Sequence, residues 1–140
     1  MTAKVTRAAI DTSALLAVAS SRDQYHDRAV HIANRFRQRG GRWVGTTLVL
    51  AELHGHLLQR VGPDIARRVA TSLLGDPIYE WHDATVQLTR AAIDRWIARY
   101  ADQHFSLTDA TTFELMRMHR IDHAFSFDGD FTTAGFQLLA

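Results

Sequence analysis

The chain has 140 residues, 46% of them hydrophobic, a formal net charge of +1 and no cysteine. That is the length of one ordinary domain with enough apolar residues for a real core, so a single unit over residues 1–140 is expected. The composition excludes a disulfide framework and a thiolate zinc site. The longest apolar stretch, residues 14–19, is too short to span a bilayer, no signal-peptide segment is evident in residues 1–10, and a soluble protein of the reducing cytoplasm is expected.

In chain order, residues 5–10 read as a strand and 12–20 as a short helix. Residues 24–39 form a second helix with Tyr25, Ala29, Ile32, Ala33 and Phe36 on one face, stopped by Gly40-Gly41. A second strand starts at Trp43-Val44, and 47–61 is helical with Leu50, Leu53, Leu57 and Leu58 as its apolar side. Gly62-Pro63 breaks that helix, 64–74 resumes as another, and 78–81 is a third strand. Residues 85–101 make a helix with Leu88, Ala92, Trp96 and Tyr100 along its core stripe, followed by a helix over 109–119, a strand over 124–127 and a fifth strand over 136–139. Strands alternating with helices predict an α/β fold, a three-layer α/β/α sandwich around a mostly parallel sheet. Ligand groups in such folds collect beyond the carboxyl ends of the strands. Asp11 closes the first predicted strand and Asp128 the fourth.

Four acids stand out, and each has an ordinary explanation. Asp11 sits where a helix N-cap belongs. Glu52 lies within an apolar run and is unremarkable if it points away from the leucine face. Asp109 ends Ser106-Leu107-Thr108-Asp109, a capping-box string, and Asp128-Gly129 is a common turn pair. The set says more than its members. Carboxylates gathered at one sheet edge raise one another's pKa unless a cation neutralises them. An oxygen-only site of this kind selects a hard ion, Mg²⁺ or Mn²⁺, over zinc. Such ions activate water and stabilise charge in phosphodiester hydrolysis without a nucleophilic side chain.

The strings Ile10-Asp11-Thr12-Ser13-Ala14-Leu15, Val49-Leu50-Ala51-Glu52-Leu53, Ser106-Leu107-Thr108-Asp109-Ala110 and Phe127-Asp128-Gly129-Asp130-Phe131, in that order, resemble the motif series of PIN domains, closest to the small VapC toxins. The resemblance runs from about Ala8 to the C-terminus. It implies a Mg²⁺- or Mn²⁺-dependent endoribonuclease with Asp11, Glu52, Asp109 and Asp128 as the catalytic, metal-holding acids and Asp130 as a further metal ligand. By the same resemblance Thr12, Ser13 and Thr108 assist by holding water or a phosphate oxygen, and Ser126 departs from the Thr of many relatives. It also implies hydrolysis of tRNA, rRNA or mRNA that inhibits translation and growth, a small VapB-like antitoxin as partner, and a homodimer within that complex. The alternatives are a housekeeping PIN nuclease with no antitoxin, or a PIN-like RNA- or protein-binding module without catalysis.

Other signals point less far. Fifteen of the sixteen basic residues are Arg, which suits phosphate, but a near-neutral charge is not the footprint of a plain nucleic-acid binder. Arg28, Arg35 and Arg39 share one side of the second helix, either as a solvated face or as a rim that steers RNA to the acids. Apolar surface on the first two helices is a candidate groove for an antitoxin helix. His119 and His123 lack the Glu of a metalloprotease motif and read as surface or packing residues. With Lys4 the only lysine, a P-loop is excluded.

Overall fold

The structure, a computed structural model, describes residues 4–140; residues 1–3 of the expected single domain lie outside it. The elements are β1 (Arg7–Ile10), α1 (Thr12–Ala19), α2 (His26–Gln38), β2 (Arg42–Thr46), α3 (Thr47–Val61), α4 (Pro63–Gly75), β3 (Tyr79–His82), α5 (Val86–Ala92), α6 (Leu107–His119), β4 (His123–Phe125), α7 (Asp130–Thr133) and β5 (Gln137–Leu138). The five strands form one sheet in the order β3-β2-β1-β4-β5, and every neighbouring pair is parallel. Parallel neighbours need crossover connections, so helices cover both faces and the three-layer α/β/α arrangement follows.

Alternation along the strands builds two cores. Ala8, Ile10, Trp43 and Phe125 face one side, where Leu16, Ile32, Phe36 and Leu53 of α1–α3 pack on them. Ala9, Val44 and Ala124 face the other, against Trp96, Phe113 and Met116. Burying each large apolar side chain contributes about 1.5–3 kcal/mol. Gly45 sits where a Cβ would meet Trp81 at 2.7 Å and Ile10 at 2.9 Å, so a side chain there would displace two side chains of the first core.

Several element bounds differ from the expectation for identifiable reasons. β1 begins at Arg7 because its partner strand begins at Arg42, past the turn made by Gly40 (φ +73°). α6 begins at Leu107, two residues early, because the Ser106 hydroxyl accepts from the Asp109 amide at 3.0 Å. The helix expected over 85–101 is α5 followed by a π-helical turn, Ile93–Ile97. Its core residues Leu88, Ala92, Trp96 and Tyr100 recur every four residues, a step that drifts about 40° per repeat in an α-helix. The wider π turn offsets that drift, and Trp96 and Tyr100 stack at 5.8 Å. Residues 130–133, to which the sequence assigned no element, form the short α7.

The second core holds one buried charge. Glu114 is 1% exposed and accepts from Arg117 at 3.0 and 2.8 Å and from the Trp96 indole at 3.2 Å, with Arg95 at 3.1 Å. Burial pushes its carboxyl up, but these donors outweigh that and hold it below the usual range. Glu114→Ala leaves the Trp96 N–H and two half-exposed guanidinium groups without their acceptor, so a loss of ~1–3 kcal/mol in a urea unfolding curve is expected. An unchanged midpoint would show that water replaces the carboxylate at no cost.

Candidate metal centre

The chain moves outward from β1 to β2 and β3, then returns to place β4 and β5 on the other side of β1. The strand order therefore reverses between β1 and β4, and the crevice at their carboxyl ends is where an open α/β sheet receives ligands. Asp11 follows β1 directly, and its amide donates to the Phe125 carbonyl of β4 at 3.1 Å. Asp128 lies three residues beyond β4, and Asp109 is in the first turn of α6, which starts at this same edge. One carboxylate oxygen from each of the three lies within 4.8 Å of the others. Asp11 and Asp109 are buried and Asp128 half-buried.

Asp11 occupies the N-cap position of α1, yet its carboxylate makes no capping bond. Instead Oδ2 accepts from the Ser13 and Ser126 hydroxyls, each at 2.7 Å. Ser126 in turn accepts from the Asp128 amide at 2.9 Å, and Asp128 Oδ1 accepts from the Asp130 amide at 3.0 Å. These bonds tie the two strand-end acids into one frame. They also leave Asp11 Oδ1 outside the serine contacts.

The electrostatics follow from that crowding. Burial raises the Asp11 pKa above 3.8, the two serine bonds lower it, the Asp128 charge raises it, and the net shift is upward. Asp109 is pushed up to about 8, first by burial and then by the charges of Asp11, Asp128, Glu52 and Asp130. Asp130 is also raised, by burial and Asp128, with His104 opposing. No ion pair among the described residues reaches Asp11, Asp109 or Asp128. An all-oxygen set of converging acids with no side-chain cation fits a hard divalent ion such as Mg²⁺ or Mn²⁺.

The remaining expected residues sit as follows. Glu52, half-buried on α3, and Asp130, at the start of α7, stand outside the group of three but close enough to act on Asp109. Ser13 is fully engaged, donating to Asp11 and accepting from the Phe127 amide at 3.0 Å. The Thr12 hydroxyl is buried without a partner. Thr108 is half-buried and its hydroxyl is outside the network around Asp11. Two residues gain importance from the fold. Ser126 supplies a bond to Asp11. Thr46 is fully buried with an unpartnered hydroxyl, beside Asp11 when the β1–β2 register is continued by two residues. Only strand pairing reveals Thr46.

The three arginines of the second helix are spread along its length. α2 has 13 residues, about 20 Å, and crosses back over the sheet to deliver the chain to the start of β2. Arg28 is in its first turns at the carboxylate edge and exposed. Arg35 and Arg39 lie at its far end, by the opposite edge, with the Arg39 guanidinium 5.7 Å from the Phe36 ring centroid. His119 and His123 also go separate ways: His119 packs on His82 at 4.7 Å and His123 bonds Asp122 at 2.8 Å.

Comparison with known proteins agrees with this geometry. Residues 8–137 match the family model described as PIN domain. The 23S rRNA-specific endonuclease VapC20 of two Mycobacterium tuberculosis strains is 36% identical over 88 residues, 63% of this chain and 66% of the relatives' length. The crystal structure of Mycobacterium tuberculosis VapC20, a sarcin-ricin loop cleaving toxin, superposes with a TM-score of 0.81 at 28% identity, over 91% of this chain and 95% of that one. FitAcB from Neisseria gonorrhoeae shares the fold, with a TM-score of 0.67 at 12% identity over 94% and 96% of the two chains. With three carboxylates converging where the parallel sheet reverses, and nearly the whole chain matched, the protein belongs to the PIN-domain family.

Proposed function

We propose that the protein is a Mg²⁺- or Mn²⁺-dependent endoribonuclease and the toxin of a toxin–antitoxin pair. The observation that carries the reading is the meeting of Asp11, Asp109 and Asp128 at the β1–β4 crevice. Asp11, Asp109 and Asp128 would hold the ion, with Glu52 and Asp130 completing the acidic ring. Bound there, a divalent ion lowers the pKa of water and offsets charge on the oxygens of the phosphodiester. The chain itself does the positioning. Ser13 and Ser126 hold one oxygen of Asp11 and leave the other for the site. Asp109 keeps a proton near neutral pH without a cation and releases it once the charge is offset. The buried Thr12 and Thr46 hydroxyls are donors for water or a phosphate oxygen.

The toxin role and an RNA substrate are supported by the names of the VapC20 relatives, and ribosomal RNA is the first substrate to try. A small antitoxin, a homodimer within that complex and a cytoplasmic place of action belong to the same proposal. A groove of about 730 Å³ between α1, α3 and α4, walled by Leu16, Leu57, Val61 and Ile65 together with Arg22, Asp23 and Arg60, offers a part-apolar, part-charged seat for a partner helix. Purified protein is expected to cut ribosomal RNA with Mg²⁺ or Mn²⁺, to stop with EDTA and not to recover with Ca²⁺. Cleavage indifferent to EDTA would overturn the metal-dependent reading.

A further inference from the structure

One exposed feature beside the acids is unaccounted for by the metal centre. Tyr25, at the N-cap position of α2, lies flat on Phe127, with ring centroids 4.6 Å apart and planes within 1° of parallel. Phe127 covers one face of the Tyr25 ring, and Tyr25 remains 38% exposed to solvent. Phe127 immediately precedes Asp128, and its amide donates to the Ser13 hydroxyl that bonds Asp11. The ring pair is thus fixed to the frame of the carboxylates. From the other side, the Tyr25 amide donates to Asp23 Oδ1 at 2.8 Å, and His26 Nδ1 donates to the Ala17 carbonyl at 2.7 Å. Phe127 rests edge-on against Phe125 at 6.0 Å, which anchors it to the core.

A rigid aromatic face held open to water next to a phosphodiester site has the form of a base-stacking platform. Stacking is tolerant of base identity because every base has a π face, but the base has to leave its own helix. We propose that Tyr25, seated on Phe127, is the ledge on which one unpaired nucleobase of the RNA stacks, beside the phosphodiester held at Asp11, Asp109 and Asp128. The inference rests on the ribonuclease reading and adds the residue that receives the unpaired base.

The test uses a single-stranded RNA oligonucleotide containing 2-aminopurine, whose fluorescence falls on stacking, first with Ca²⁺ and then with Mn²⁺. In Ca²⁺ the parent, Y25F and Y25W are expected to quench the probe and Y25L is not, while the same probe annealed into a duplex responds to none of them. In Mn²⁺ the KM of Y25L for the single strand is expected to rise about tenfold, with kcat falling less, the size that losing one stacked base implies. Equal quenching and equal KM for Y25L and parent would overturn the ledge, as would quenching of the duplex. Should Y25L melt early, Y25W against Y25F decides: the larger indole face lowers KM, and identical values overturn the proposal. Absence of cleavage by the parent in Mn²⁺ would count against the nuclease reading, and the quenching in Ca²⁺ would still decide the ledge.

Discussion

An Asp11→Asn protein is expected to fold like the parent and to lose RNA cleavage by about a thousandfold or more, equivalent to ~4 kcal/mol of barrier. The fold should survive because the Asn carbonyl can accept the same two hydroxyl bonds that Ser13 and Ser126 give to Asp11 Oδ2. The site should fail because the amide nitrogen then occupies the place of the remaining carboxylate oxygen and brings no charge. Burial works in the same direction for folding, since Asp11 is only 4% exposed and its ionised form is disfavoured. The measurement is the initial cleavage rate at saturating Mn²⁺ together with a melting curve. Parent-like cleavage by a well-folded Asp11→Asn protein would remove Asp11 from the catalytic set.

The second large effect concerns pH and stability. Asp109 has a folded pKa of about 8 against an ordinary 3.8, so between those values the folded state binds more protons than the unfolded one. The stability this group contributes is complete below pH ~4 and is lost as pH rises through about 8; Asp11, also raised, acts with the same sign. Glu80 is held below the usual range, first by its bond with His82 and further by Arg7, against opposing burial. Glu114 is held down as well, and His119 is depressed by burial and by the His82 and Arg7 charges. Those three lose their contributions as pH falls, so the parent's own curve mixes both trends. The difference between parent and Asp109→Asn isolates one of them. Without metal, Asp109→Asn is expected to melt higher than the parent at pH 8 by ~1–3 kcal/mol, on the order of 2–10 °C, and the gap should shrink towards pH 5. Adding Mn²⁺ should raise the parent's melting temperature more at pH 8 than at pH 5, because the ligands bind deprotonated. A gap independent of pH would mean that Asp109 is not the group held up by the cluster.

The same residues separate what was readable from the chain from what was not. α3 runs over residues 47–61 as expected, because Gly62-Pro63 is an unambiguous stop. Asp11 and Asp128 were placed at strand ends by local pattern, and Asp109 at a helix start by its capping string. Glu52 was read as completing the cluster around Asp11 and Asp109, and it lies outside the converging three while acting on Asp109. One residue's shift along a helix turns a side chain by about 100°, and a motif string carries no such angle. Arg28, Arg35 and Arg39 share a helix face as predicted, but a face is not a position. The direction in which α2 crosses the sheet separates them.

The four acids, the alternation of strands and helices and the resemblance they carry were legible in the sequence, because periodicity and capping are set by near neighbours. The convergence of three of those acids was decided only by the tertiary structure. It depends on the parallel order β3-β2-β1-β4-β5, which sets β1 against β4 and brings residues more than a hundred positions apart within hydrogen-bond reach, as Ser126 is of Asp11. The raised Asp109 pKa, the buried Thr46 hydroxyl and the Tyr25–Phe127 stack have the same origin. Each is a property of groups far apart in the chain that meet at one edge of the sheet, and no local pattern encodes it.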